Sequence, residues 1–547
     1  MQLPARAGWR MTDGRWQMAE ADGRWRRFAL MAASLMATPT RRFCHLPSAI
    51  RHLPSAIRHP SRHPRSRHCA QRDKLHAMER FDVVVIGGGT AGLVTASGCA
   101  RLGRKVAMIE RERLGGDCLW TGCVPTKALV ASAKLAHQMR HADRFGLERA
   151  EPCITPKSVM DAMRETRRDI SRHDDPQKFR ALGIDVIEGN ARLVSRNEVE
   201  VNGRRLAARD IVIATGSRTS VPPVEGLKER GYLDHASFLE QDEFPSSILI
   251  LGGGYIGIEF AQLFARFGAK VTVVEMLDEI INKEDAEVIA RVRQTLERED
   301  IEILTGWAVK SVSASSTRVE NKKGESREIA TQNIFVASGR HGNTENLGLE
   351  DAGVKVERSY VVADRFLQTS VPRIWACGDV HGGLQFTHVA AYEAVKLVRN
   401  MLFPGKSAID YSNVPWALYT DPEVAHLGLT ESQAREQHGD AVRTYRVDLH
   451  DVDRAVVDRA YQGLIKLVCD AKGNILGAHV MAPNASTLIE EIVLARRKKM
   501  KVSELAQRIS AYPSLSDGIQ KAASLYYQDM AKSWLGSLGK RIAAWSQ

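Results

Sequence analysis

Aromatic residues are scarce in this chain of 547 residues, at 6% of the total. Cysteine is scarcer still, with eight in all, far too few for a disulfide scaffold. No apolar run approaches 18 residues. The longest candidate, Phe28 to Met36, is too short to cross a bilayer, so no membrane partner is expected. No clear secretory signal with a cleavage site is present, and the expected location is cytoplasmic. Pervasive disorder is excluded by a hydrophobic fraction of 44%. The length predicts three to four domains at roughly 150 residues each.

Charge imbalance is also missing from most of the chain. The formal net charge is +12, but residues 1–77 hold 15 basic and 4 acidic side chains, while the other 470 residues hold 62 and 61. The balanced body predicts no nucleic-acid partner. Residues 1–77 repeat HLPSAIR at 45–51 and 52–58, repeat DGRW at 13–16 and 22–25, and carry no helix or strand period. This segment reads as a low-complexity basic extension. It is expected to be disordered, upstream of a true start at Met78, or an Arg-rich targeting segment. Its six histidines lack a fold to fix ligand geometry, and no metal site is expected.

From Phe81 the pattern becomes regular. The run Phe81–Ile86 is β-branched and ends in Gly87-Gly88-Gly89-Thr90-Ala91-Gly92. A helical stretch follows, then a second strand ending in Glu110, 23 residues after Gly87. The unit recurs: Ser247–Leu251 leads into Gly252, Gly254 and Gly257, and Glu275 again lies 23 residues after the first glycine. Each unit is a dinucleotide-binding fingerprint in its required strand–turn–helix–strand context. Glycine lets the backbone approach a pyrophosphate, the helix N-terminus supplies amides and partial positive charge, and the acid accepts from ribose hydroxyls. Thr215 and Gly216 close the first unit, and Gly339 closes the second, each at the end of a later strand. Two such sites predict two dinucleotides, a flavin and a nicotinamide.

After the first unit comes Leu114-Gly115-Gly116-Asp117-Cys118-Leu119-Trp120-Thr121-Gly122-Cys123-Val124-Pro125-Thr126-Lys127. Two cysteines five apart, on a glycine-rich loop entering a helix, suit a reversible disulfide, because a helix N-terminus stabilises thiolate. A zinc site would need a second ligand cluster, and none is apparent. Cys99, Cys153, Cys377 and Cys469 are scattered and read as small buried hydrophobes.

These motifs, with ATGS at 214–217, GGGYIGIE at 252–259, CGD at 377–379 and YPSLSD at 512–517, resemble the class I pyridine nucleotide-disulfide oxidoreductases over about residues 80–530. That group includes dihydrolipoamide dehydrogenase, glutathione reductase and mercuric reductase. The resemblance implies an α/β fold: two Rossmann-type dinucleotide-binding domains, for FAD and NAD, and a C-terminal α+β dimerisation domain. The corresponding boundaries are 78–222 and 342–411 for the FAD part, 223–341 for the NAD(P) part and 412–547 for dimerisation. It implies that Gly87, Gly89, Gly92 and Glu110 hold the adenosine diphosphate of FAD, and that Asp379 binds its ribityl chain. Cys123 would be the charge-transfer thiolate and Cys118 the interchange thiol. Lys127 would sit near the flavin and pair with Glu259. A homodimer is implied, and the apolar stretch from Ile489 to Ala495 is expected at its interface. Glu275 predicts NAD(H) in preference to NADP(H), since its carboxylate would repel a 2′-phosphate.

The departures are as informative. Relatives acting on thiols place a histidine and a glutamate where this chain has Tyr512 and Asp517, and a phenol is a poor base at neutral pH. No cysteine follows Cys469. The expected activity is electron transfer between NAD(P)H and a disulfide, thiol or related acceptor through Cys118 and Cys123, the partner being a small molecule or metal ion. Alternatives are dihydrolipoamide dehydrogenase, mercuric ion reductase, direct reduction of a quinone or metal by the flavin, and a non-catalytic redox sensor.

Overall fold

The computed structural model describes residues 9–12, 15–18 and 78–545. The chain divides into two compact units, Met1–Asp73 and Lys74–Gln547. In the first, Trp9–Thr12 pairs antiparallel with Arg15–Met18. This short hairpin departs from the expectation of no regular structure, and the Asp13-Gly14 pair between its strands is a sequence signal for one. The rest of residues 1–77, with the expectations about that extension, lies outside the described residues.

In the second unit, the first sheet runs in the order Asp185–Glu188, Val106–Glu110, Glu79–Ile86, Arg204–Ile213, Glu198–Val201, Ala191–Ser195, and Ile374–Ala376 also pairs with Arg204–Ile213. The strands from Asp185–Glu188 to Arg204–Ile213, together with Ile374–Ala376, are parallel. Their residues are buried on both faces, as Val83, Val84 and Val85 are. That is why they read as continuous apolar runs rather than alternating ones. Glu198–Val201 and Arg204–Ile213 form an antiparallel pair across Asn202-Gly203. Both turn residues have positive φ, +50° and +75°, as a two-residue primed turn requires.

The second sheet is wholly parallel, in the order Glu302–Thr305, Lys270–Glu275, Ser247–Leu251, Asn333–Val336. Three antiparallel strands, Trp307–Val312, Ser316–Asn321 and Ser326–Ala330, stand beside it. The chain enters and leaves this region through Ser217–Thr219 and Arg340–Gly342, which pair antiparallel with each other. A five-stranded antiparallel sheet, from Pro415–Leu418 to Arg443–Asp448, builds the C-terminal part.

The helix Ala485–Arg497 packs on that last sheet. Its Ile489, Ile492 and Ala495 are fully buried against their own chain, while Leu494 is exposed. Ile489, Ile492 and Ala495 of this stretch therefore belong to the internal core, and Leu494 is the side chain of it left exposed. Among the described residues, no helix is long and apolar enough to cross a membrane.

Candidate redox site

Two nearly superposable turns open the site. Gly87 and Gly252 have φ of +109° and +114°. A Cβ on either would lie 2.2 or 2.4 Å from the carbonyl oxygen of Ala214 or Ala337. A Cβ on Gly92 or Gly257 would lie 1.9 or 2.0 Å from the carbonyl oxygen of Gly87 or Gly252. These positions admit only glycine. The helices Thr90–Arg101 and Tyr255–Arg266 follow, each N-capped by an extended glycine, Gly89 or Gly254, without a side-chain cap or an acid in the first turn. Their leading amides thus remain available to a phosphate.

Each terminal acid buttresses its own turn. Glu110 accepts from the Gly88 amide at 2.6 Å, and Glu275 accepts from the Gly253 amide at 2.6 Å. Thr215 donates to the Asn343 carbonyl at 2.7 Å, and Asn343 returns a bond to the Thr215 carbonyl at 2.9 Å. Gly216 and Gly339 both have positive φ and face open space where a Cβ would stand. This combination of uncapped amides, close-approach glycines and a ribose-reaching acid fits a dinucleotide at each turn.

The cysteine loop lies against the first turn. Gly115 donates its amide to the Gly88 carbonyl at 2.8 Å, and a Cβ on Gly116 would come within 2.7 Å of the Gly89 Cα. Cys118 is carried by the short helix Gly116–Trp120, and Cys123 opens the helix Cys123–Arg140. Both stand as free thiols. Cys123 Sγ lies 3.4 Å from Thr387 Oγ1. A hydrogen bond from Cys118 brings the Cys123 thiol down to about 6, helped by Thr387 and the Lys127 ammonium against the opposing effect of burial. The same bond holds the Cys118 proton in place and pushes that thiol up. One sulfur is poised as thiolate and its neighbour as thiol, which is the arrangement a reduced dithiol needs for exchange.

Lys127, one helical turn beyond Cys123, donates to Glu259 Oε2 at 2.7 Å. Glu259 is buried, and its other oxygen accepts from the Tyr419 amide at 2.9 Å. The Lys127 ammonium also sits 4.6 Å over the Tyr419 ring. Trp120 donates its indole N–H to the Leu114 carbonyl at 2.7 Å and is approached by the guanidinium groups of Arg113 and Arg167. It props the loop between the cysteines.

A polar relay missed in the sequence reading ties this loop to Asp379. Arg340 donates to Asp117 at 2.8 Å and to the Ser217 hydroxyl at 2.6 Å, and that hydroxyl donates to Asp379 at 2.7 Å. His235 completes the relay, with Nε2 3.0 Å from Asp117 and Nδ1 3.2 Å from Thr219. Burial opposes ionisation of Asp117, but His235 and Arg340 outweigh it and hold the carboxyl well below its usual range. Burial moves Asp379 the other way, upward. Arg340 directly follows Gly339, and Asp117 directly precedes Cys118. Position beside a motif was the only signal available for either.

Tyr512 is 74% exposed and donates to Asp453 at 2.8 Å. That bond pushes the phenol above its ordinary value. Asp517 faces Lys521 at 3.3 Å instead, so the two YPSLSD side chains are not paired. Cys99, Cys377 and Cys469 are buried, as expected, but Cys153 is exposed in the polar stretch before the helix Pro156–Ser171.

Two dinucleotide turns converging on a dithiol define a class, the nucleotide-dependent dithiol–disulfide oxidoreductases. Comparison with known proteins gives the family. Residues 81–394 match the pyridine nucleotide-disulphide oxidoreductase profile, and residues 414–523 match that family's dimerisation domain. A mercuric reductase of Bacillus cereus is 33% identical over 464 residues, covering 83% of this chain and 72% of the relative. A dihydrolipoyl dehydrogenase of Bacillus subtilis is 33% identical over 463 residues, covering 81% and 97%. A solved structure, the Cu(II) complex of the HOCl-induced flavoprotein disulfide reductase RclA from Escherichia coli, has a TM-score of 0.73 at 30% identity, covering 82% of this chain and 100% of that one. The chain belongs to the pyridine nucleotide-disulphide oxidoreductase family. It is an NAD(P)H-dependent flavoprotein disulfide oxidoreductase, and its dimerisation domain supports a homodimer.

Proposed function

We propose that this enzyme delivers electrons from NADH, through the Cys118–Cys123 pair, to a soft, thiophilic metal ion. The observation that carries this reading is the state of Tyr512, an exposed phenol of the C-terminal part held protonated by Asp453, in a chain whose dithiol site is otherwise complete. Thiol substrates must lose a proton to exchange with a disulfide, and a phenol cannot take it near pH 7. A thiophilic cation needs no such base, because it binds thiolate directly. Among the relatives are proteins named mercuric reductase, and a structural neighbour is a Cu(II) complex. FAD, held by the first turn, would supply hydride chemistry linking the nicotinamide to the disulfide.

The chain's own residues supply the rest. Gly87, Gly89, Gly92, Glu110, Thr215 and Gly216 hold FAD, with Asp379 at its ribityl chain. Gly252, Gly254, Gly257, Glu275 and Gly339 hold the nicotinamide dinucleotide. Cys123 stays ionised beside Lys127, and Lys127 is kept charged and in place by Glu259. Cys118 keeps its proton until an acceptor arrives and is the sulfur that meets it. The domain division is 78–222 with 342–411 for FAD, 223–341 for the nicotinamide and 412–547 for dimerisation.

The test is steady-state NADH oxidation by the full-length enzyme with Hg(II), Cu(II), dihydrolipoamide in the reverse direction, small disulfides and a quinone. Metal-dependent oxidation at least tenfold above every other acceptor is the expected result. Turnover of dihydrolipoamide near or above the enzyme median of about 10 per second would overturn it. A cysteine-independent rate with the quinone would instead point to direct reduction by the flavin.

A further inference from the structure

Away from the cysteines, Glu284, His426 and His479 meet in the interior between the second nucleotide-binding sheet and the C-terminal sheet. Glu284 stands just before the helix Ala286–Glu297. His426 and His479 lie directly opposite each other on the paired strands Glu423–Gly428 and Ile475–Ala482. Exposure is 5% for Glu284, 1% for His426 and zero for His479. One donor atom from each lies within 4.8 Å of the other two.

The hydrogen bonds fix the direction of every lone pair. His426 Nε2 is 2.8 Å from the Gly428 carbonyl, and His479 Nε2 is 3.1 Å from the Leu429 carbonyl. A carbonyl only accepts, so both Nε2 atoms carry hydrogen, and in a neutral ring each Nδ1 is a bare lone pair. His479 Nδ1 has no hydrogen-bond partner among the described residues. His426 Nδ1 is 3.0 Å from Glu284 Oε2. The other oxygen of Glu284 accepts from Tyr255 at 2.6 Å and from the Trp416 indole at 2.7 Å. Three acceptors therefore converge. A proton on His426 would satisfy its contact with Glu284 and leave His479 bare, whereas a cation satisfies all three.

The surroundings have the features of a metal site's outer shell. Each histidine gives its second N–H to a backbone carbonyl, and the carboxylate is anchored by two donors, as in established sites. The nearest amine, Lys466, is committed to Asp285 at 2.9 Å and Glu431 at 2.7 Å. Lys466 therefore forms no ion pair with Glu284, whose one ionic contact among the described residues is His426.

We propose that Glu284, His426 and His479 bind a divalent first-row transition-metal ion, which clamps the segment at 284 to the C-terminal sheet. Two imidazoles and one carboxylate match Zn2+, with donors at about 2.1 Å. Nothing in sequence spacing marks such a site, since the three residues are contributed by distant segments.

The experiment uses the full-length, FAD-loaded enzyme with Cys118 and Cys123 oxidised, so that neither thiol competes. It is stripped with a chelator and supplied with Zn2+. An anomalous diffraction peak at the zinc edge, centred among the three side chains, is expected in zinc-soaked crystals. His479→Gln should weaken zinc retention by roughly 100-fold or more. If that variant fails to fold, Trp416→Phe, which removes one donor to Glu284 and touches no metal, should weaken it by about 10-fold. The absence of an anomalous peak at this position in wild-type crystals overturns the proposal. So does equal zinc retention by wild type and a folded His479→Gln.

Discussion

The two glycine turns are built alike, yet their surroundings differ. Gly87 and Gly252 agree in φ to a few degrees, and Glu110 and Glu275 hold the same amide at the same distance. Over the first turn, however, lies a lid of backbone. Gly115 bonds to Gly88, and the Gly116 Cα stands 3.8 Å from where a Cβ on Gly89 would be. The second turn has the matching bond, from the Ile281 amide to the Gly253 carbonyl at 2.8 Å, but there Gly254 faces open space. A turn covered by the redox loop suits a group that stays bound for the life of the enzyme, while an open turn suits one that enters and leaves each cycle. On the proposed assignment, the same local sequence logic would serve a resident site and an exchange site. The difference comes from what the chain places next, the cysteine loop 114–129 in one case and the short irregular segment 276–285 before the helix Ala286–Glu297 in the other.

The largest expected effect follows from that loop. Cys118→Ser should leave the protein yellow but lower acceptor-dependent turnover by about 1,000-fold. Cys123→Ser should lower turnover as much and also remove the long-wavelength charge-transfer absorbance of the reduced enzyme. Absorbance spectra and NADH oxidation rates check both. Normal turnover in both single variants would detach the loop from the chemistry.

Next come the glycines, which test whether the turns carry different cofactors. Gly257→Val would drive a side chain into the Gly252 carbonyl. Retained flavin colour is expected, with kcat/KM for NADH reduced by roughly 100-fold, about 2.7 kcal/mol. Gly92→Val makes the same clash in the first turn and should instead yield protein without FAD. If Gly257→Val loses flavin and Gly92→Val keeps it, the two assignments are exchanged.

A smaller effect concerns Lys127, which has no counterpart in the second unit. With Cys123 held down to about 6, thiolate is present above that pH and lost as pH falls through it. The charge-transfer absorbance of the reduced enzyme should therefore fade on acidification with a midpoint near pH 6. Lys127→Met removes a stabilising cation and leaves Glu259 buried without its partner. Both changes disfavour thiolate, so the midpoint should rise by about one pH unit. An unchanged midpoint would show that Cys118 and Thr387 suffice.

The parts of this design that were legible in the sequence are those fixed by local backbone chemistry. The two turns could be read because only glycine fits at Gly87, Gly92, Gly252 and Gly257, and the acid falls at a fixed offset. The Asn202-Gly203 hairpin could be read because its turn needs positive φ. Lys127 was legible because a helical turn separates it from Cys123. What was not legible depends on distant segments meeting: Arg340 on Asp117, Thr387 on Cys123, Asp453 on Tyr512. The periodicity from Ile489 to Ala495 was visible, but an apolar stripe does not say whether its partner is the same chain or another. Cys153 is exposed because its stretch is polar, which outweighs the tendency of a free thiol to be buried.

The smallest expected effect sharpens the comparison at the equivalent acids. Glu110 and Glu275 both buttress a turn amide, so replacing either has a structural cost, but on the proposed assignment only Glu275 would meet a cofactor that comes in two forms. Its carboxylate lies partly exposed at the end of the strand Lys270–Glu275. A 2′-phosphate beside it would be repelled, with the force weakened by solvent. The nearby cations offer little relief, since Lys322 is paired with Asp278 at 2.5 Å and Arg293 with Glu279 at 2.9 Å. Wild type should therefore favour NADH. Glu275→Gln keeps an oxygen to accept from the Gly253 amide while removing the charge, so the fold is spared and the repulsion is not. The ratio of kcat/KM for NADPH to that for NADH should rise by about 10-fold, about 1.4 kcal/mol, mostly through the NADPH value. A wild-type preference for NADPH, or a ratio unmoved by Glu275→Gln, would show that the second acid only braces its turn, as a purely structural copy of the first.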